Sequence, residues 1–219
     1  MAPAGVLVAG KVNRIEIGHG HRFPVSEEAI AAGQVKAFAL APPGKRTELR
    51  AAAAGKVVAL EYTPDEPGTH TLGFVQDRGI LSRTPGGVKK GGKDANPDAV
   101  RTFRAVRTAV SYASAGTPAP PGRAAGLEFE IVPGMEGGVV ALQVLRKGKP
   151  AAGADVQVLL SGREEVKPLG KTGEQGRLVY NREAGAKGPV LFLAGWAEPA
   201  PAGAAYGTTN LSTSLYLDW

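Results

Sequence analysis

Gly55-Lys-Val-Val-Ala-Leu-Glu-Tyr62, Thr63-Pro-Asp-Glu-Pro-Gly68 and Thr69-His-Thr-Leu-Gly-Phe-Val-Gln76 form the stretch on which the fold turns. Two alternating, β-branched runs flank a segment with two prolines and a glycine, the chemistry of a connection between antiparallel strands. Similar runs occur upstream at 6–9, 12–17, 35–40 and 46–50. They recur downstream at 127–132, 139–146, 154–161, 177–181, 190–196 and 212–217. Between them fall most of the 31 glycines and 17 prolines, as in Lys147-Gly148-Lys149-Pro150 and Gly173-Glu174-Gln175-Gly176. Many short strands joined by tight turns predict an all-β chain.

One segment reads differently. Asn96-Pro97-Asp98 has an N-cap residue followed by a proline suited to the first helical position. Behind it Val100, Phe103, Val106 and Val110 share one face at helical spacing, and Arg101, Arg104 and Arg107 another. The spacing predicts an amphipathic helix over 97–112, its arginines in water. Residues 84–96, rich in glycine and lysine, read as a loop, and Ser26 with Glu27 and Glu28 suits a short helical turn. Gly116-Thr-Pro-Ala-Pro-Pro-Gly122 has the composition of a stiff linker. The expected organisation is an N-terminal β-sandwich over 1–116 that includes the helix, a linker over 117–125 and a C-terminal β-sandwich over 126–219.

Composition narrows the function. With 43% hydrophobic residues the 219-residue chain can bury a core. The absence of cysteine excludes disulfides, thiolate metal sites and a cysteine nucleophile. The net charge of +6 arises within 78–107, where eight lysines and arginines meet two acids. Phe103 is the one aromatic in that stretch, so a solvated face is expected rather than a nucleic-acid surface. No apolar run reaches the ~20 residues that span a bilayer. Met1 to Gly10 lacks the basic start and apolar length of a signal peptide, so any leader is expected to lie outside this sequence. Nucleophile elbows, phosphate loops and His-Glu-x-x-His are absent. The adjacent pairs Glu27-Glu28 and Glu164-Glu165 would face opposite ways on a strand, so no enzymatic activity is expected.

The three histidines carry the remaining chemistry. Gly18-His19-Gly20-His21 follows an early strand, and His70 follows the turn at 65–69. Imidazoles at such positions are ligands for nickel, cobalt, copper or zinc. His19, His21 and His70 are therefore the candidate metal residues, with Glu16, Glu27 or Glu28 as acceptors that fix the tautomer.

Two C-terminal segments, Gly126-Leu-Glu-Phe-Glu-Ile-Val-Pro133 and Val144-Leu-Arg-Lys-Gly-Lys-Pro-Ala-Ala-Gly-Ala-Asp-Val156, together resemble the second half of the DUF4198 family. Lys171-Thr-Gly-Glu-Gln-Gly-Arg177 is similar to a turn of prealbumin-like and carboxypeptidase-regulatory-like sandwiches. Gly18-His-Gly-His-Arg-Phe-Pro24 and residues 63–74 resemble motifs of the family's first half. The resemblance implies two Ig-like or prealbumin-like domains and a periplasmic or otherwise extracytoplasmic place. It also implies binding of nickel or cobalt, as the ion or its complex, for uptake by a membrane transporter component. The alternatives are a structural or adhesive pair of Ig-like domains with incidental histidines, and a carbohydrate- or peptide-binding module.

Overall fold

The computed structural model describes residues 2–3, 7–20, 22–116, 123–136, 139–182 and 188–218. Within them the chain forms β1 (Ala2–Pro3), β2 (Asn13–Ile17), β3 (Val35–Ala41), β4 (Lys45–Leu49), β5 (Ala51–Ala54), β6 (Val57–Tyr62), β7 (Gly68–Thr84), β8 (Gly87–Lys90) and β9 (Arg101–Ala115). There follow β10 (Phe129–Glu136), β11 (Val139–Arg146), β12 (Lys149–Pro150), β13 (Asp155–Leu160), β14 (Lys167–Lys171), β15 (Arg177–Tyr180), β16 (Val190–Pro199) and β17 (Thr208–Leu217). A single 3-10 turn, Ala32–Gln34, is the helical element among the described residues.

The all-β expectation holds, but the helix over 97–112 is replaced by β9. Phe103, Val106 and Val110 fit a helical stripe because a central strand, buried on both faces, shows no clean alternation. Pairing settles the choice. β9 runs antiparallel to β7 from Gly68↔Ala115 to Arg83↔Arg101, and parallel to β17 from Phe103↔Thr208 to Ser111↔Tyr216. A helix would forfeit both ladders. Asn96 caps nothing helical: its Nδ2 donates to the carbonyls of Lys90 and Gly92, at 2.9 and 3.2 Å, and so pins the loop before β9. Val100, expected on the buried face, is 76% exposed. The presumed loop at 84–96 contains β8, which folds back on β7 with Arg83 opposite Val88.

A nine-stranded sheet in the order β14-β13-β16-β17-β9-β7-β3-β4, with β8 also on β7, runs through the molecule. Two four-stranded sheets cover it: β1-β2-β6-β5, and β10-β11-β12 with β15 also paired to β11. Under the first lie Ile15, Ile17, Val58, Leu60 and Tyr62 against Ala37, Ala39, Leu72, Phe74, Ala109 and Ala113. Under the second, Phe129, Ile131, Leu142 and Val144 meet Val106, Val158, Phe192, Leu211 and Leu215. Ala109, Ala113 and Ala115 of β9 join the first cluster and Val106 the second, so the two small sheets cover opposite faces of the large one. β6 and β7, read as neighbours across residues 63–68, lie in different sheets, and their connection is an arch between layers. Strands from both sides of the expected linker at 117–125 meet where β9 pairs β17; residues 117–122 lie outside the described residues.

One glycine in the large sheet is dictated by packing. Gly73 pairs with Phe38, whose ring lies over it; a Cβ on Gly73 would come 2.3 Å from Phe38 Cζ. The ring is buried against Val110, Ala125 and Leu127, and Arg46 stacks 3.6 Å from its centroid. Gly73→Ala is expected to destabilise the protein by about 1–3 kcal/mol through overpacking, read as a lower denaturation midpoint at unchanged m-value. A midpoint equal to wild type would contradict this packing.

Candidate functional site

β2 ends at Ile17, and Ser26, Glu27 and Glu28 come back to hydrogen-bond His19 just beyond it. The His19 carbonyl accepts the backbone N–H groups of Glu27 and Glu28, at 2.9 and 3.0 Å. The His19 N–H donates to Ser26 Oγ at 3.0 Å, and that hydroxyl donates to the Lys56 carbonyl at 2.7 Å. Both glycines beside His19 are required by this closure. A Cβ on Gly18 would meet Ser26 Cβ at 3.0 Å, and one on Gly20 the Val25 carbonyl at 2.9 Å.

The loop walls a cleft of about 420 Å³ beside the first small sheet. Its floor is two rows of laterally paired residues across the large sheet. Gln76, Arg107, Ser212 and Gly195 form one row, and Phe74, Ala109, Ser214, Leu193 and Gln157 the other. The hollow exists because β9, β16 and β17 present Ala109, Gly195, Ser212 and Ser214 on this face. Their bulky residues, Val106, Phe192, Leu211 and Leu215, face the opposite core.

At the mouth, His19 Nδ1 lies 3.0 Å from Glu28 Oε2 and its Nε2 lies 3.0 Å from Arg107 Nη1. A guanidinium can only donate, so Nε2 is the acceptor and Nδ1–H donates to the Glu28 carboxylate. Burial, then the Arg107 charge, holds the His19 pKa below its usual 6.5, against the opposing pull of Glu28. Arg107 is itself half-buried, and burial followed by the nearby Arg78 charge lowers its pKa. Arg78 stands on the bulge that interrupts the β7–β9 register between Asp77 and Ile80. The neighbouring Arg104 is paired with Asp77 at 2.5 Å. Among the described residues Arg107 has no carboxylate at ion-pair distance, and its side chain hydrogen-bonds His19 alone.

Of the sequence candidates, His19 faces this cleft and His21 lies outside the described residues. His70 is fully buried beneath the first small sheet. Its Nε2–H donates to the Glu66 carbonyl, and its Nδ1 accepts the Tyr62 hydroxyl, each at 2.8 Å. Phe74, the nearest β7 residue in the cleft, is four residues further on, about 13 Å along the strand. The structure therefore does not bring His70 to His19, and both nitrogens of His70 are engaged. Among the described residues no group of three or more His, Cys, Asp or Glu side chains could hold a metal ion. Of the carboxylates expected beside the histidines, Glu28 pairs with His19, while Glu27 pairs with Arg22 and Glu16 with Arg14.

Arg107 is the site residue that sequence reasoning missed, because a helical reading sent it to solvent. Read at period two, Phe103, Ala105, Arg107, Ala109 and Ser111 share a face, which would have marked an arginine on a sheet surface of small residues.

The family model described as "Domain of unknown function (DUF4198)" matches residues 1–197. A comparison with curated proteins found no match. No helix among the described residues is long and apolar enough to cross a membrane.

Proposed function

The chain belongs to the DUF4198 family, and we propose that it is a non-enzymatic, extracytoplasmic binding protein for nickel or cobalt, accessory to uptake by a membrane transporter. The observation that carries this reading is the Glu28–His19 pair at the cleft mouth. A carboxylate accepting Nδ1–H fixes the tautomer whose Nε2 lone pair is available to a metal, the usual outer-shell arrangement of a ligand histidine. His21, two residues on, is the proposed second ligand. Entry of the metal breaks the hydrogen bond from Arg107 to Nε2.

Calorimetric titration with nickel and cobalt chloride tests the reading. His19→Ala is expected to lower affinity at least tenfold and to remove any metal-induced rise in melting temperature. Glu28→Gln should weaken binding by about 10–100-fold while leaving the fold intact. Because the His19 pKa is lowered, its imidazole stays neutral into mildly acidic solution. Binding should persist there and fail as pH drops through that lowered value. Equal affinity of wild type and His19→Ala would overturn the site. A second reading, a carbohydrate- or peptide-binding module, draws on Gln76, Gln157, Ser212 and Ser214 beside Phe74; it expects ligand binding that ignores metal and chelator alike.

A further inference from the structure

We propose that the cleft is a carboxylate site in which the Arg107 guanidinium clamps an oxyanion of a small organic acid. Given the metal reading above, on which only this clause rests, that acid is the chelator that brings the metal to His19.

Arg107 sits in the middle of the cleft floor, half withdrawn from water, with Gln76 and Ser212 on either side in the same row. A guanidinium has five N–H donors in a planar fork, and this one uses a donor on His19 and none on a carboxylate among the described residues. Its neighbour on β9, Arg104, is by contrast paired with Asp77. Arg78 adds a second positive charge near Arg107 and His19, and Glu28, the carboxylate that opposes them among the described residues, is already bonded to His19. A partly desolvated arginine on the floor, with the Arg78 charge near it but outside the lining, suits an anion, and the planar fork matches a carboxylate with two parallel hydrogen bonds. Gln76 and Ser212 can hydrogen-bond the remaining oxygens. The 420 Å³ volume admits a small acid but leaves no room for a folded partner.

A bare dication entering the cleft meets the same positive charges. A metal on Nε2 would sit beside the guanidinium it displaces, and like charges at that range repel. A carboxylate between them offsets part of that repulsion, and an acid with two or three carboxylates offsets more of it. The acid would occupy the metal's remaining coordination positions, which the described residues cannot fill.

The test uses citrate as probe in metal-free, carboxylate-free buffer, followed by nickel chloride and nickel citrate, each by calorimetry. Wild type is expected to bind citrate without metal, and neutral triethyl citrate should not compete. Arg107→Gln should lose citrate affinity by about tenfold or more, and Arg107→Lys should retain part of it as a point charge. His19→Ala should keep citrate and lose nickel. Citrate affinity unchanged in both Arg107 variants, with their melting curves intact, overturns the carboxylate site. If nickel chloride still binds through His19 in that case, the metal reading stands without it. Citrate lost with Arg107, but nickel bound equally with and without His19, leaves the carboxylate site and removes the metal reading. Should Arg107→Gln fail to fold, the ratio of citrate affinities between wild type and Arg107→Lys decides, and a ratio of one overturns the proposal.

Discussion

Glu130→Ala is expected to cost about 3–5 kcal/mol of stability, which in a chain of this size lowers the melting temperature by about 2–4 °C per kcal/mol. Glu130 lies on β10 with no exposed surface. Its Oε2 accepts the Ala125 N–H at 2.6 Å, and its Oε1 accepts those of Gly126 and Leu127, at 3.0 and 3.2 Å. Those three donors belong to the chain entering β10, whose Ala125 and Leu127 pack on Phe38 and Val110 of the large sheet. Truncation would orphan buried N–H groups at the place where the second small sheet is attached. Glu130→Gln keeps the shape but turns an NH₂ toward at least one backbone donor, so a smaller loss is expected.

The pH dependence has a definite sign. Burial raises the Glu130 pKa above the ordinary 4.5, against the pull of the three N–H groups. As pH rises from that ordinary value through the raised one, the unfolded chain releases its proton while the folded chain retains it. Stability from this group is therefore full below the window and falls across it. Wild type should lose stability over that range more steeply than Glu130→Gln, whose amide does not titrate. Parallel stability–pH curves, or an alanine variant as stable as wild type, would refute the role assigned to this carboxylate.

His70→Ala is the second large effect, about 3–5 kcal/mol, from a cavity in place of the ring and a buried Tyr62 hydroxyl left without its partner. The ring bridges the Tyr62 hydroxyl, at the end of β6, and the Glu66 carbonyl in the arch that leads into β7. Tyr62 also packs edge-on at a centroid distance of 5.6 Å. The imidazole thereby locks the crossing between the two layers. Nickel affinity, measured where the variant is still folded, is expected to be unchanged, in contrast to His19→Ala. Loss of nickel binding with an undiminished melting temperature would return His70 to the metal site.

The contrast between the histidines shows where sequence reasoning reaches. Gly18-His19-Gly20 was legible as a turn carrying a ligand-type side chain, because glycine spacing and strand ends are local. That Glu28 rather than Glu16 or Glu27 meets His19 depends on the course of residues 20–28, which no local pattern specifies. His70 has the same chemistry, but its surroundings are set by the first small sheet folding over it. β7 likewise continues to Thr84 through a bulge at Arg78-Gly79 that looks, read alone, like the end of a strand.

The sequence by itself determined that this chain is built of β-strands, where most of them lie, and that thiol chemistry is absent. β-branched alternation, turn residues and composition are properties of neighbours along the chain. Tertiary structure decided which strands pair, and with that the rest. β9 became a central strand only because β7 and β17 flank it, and Arg107 became the floor of a cleft only because Ser212, Gly195 and Ser214 arrive beside it from the far end of the chain. Hydrogen-bonded ladders between distant segments outweigh a helical spacing that four apolar residues, Val100, Phe103, Val106 and Val110, imitate. They also place Arg107, expected in water, beside His19.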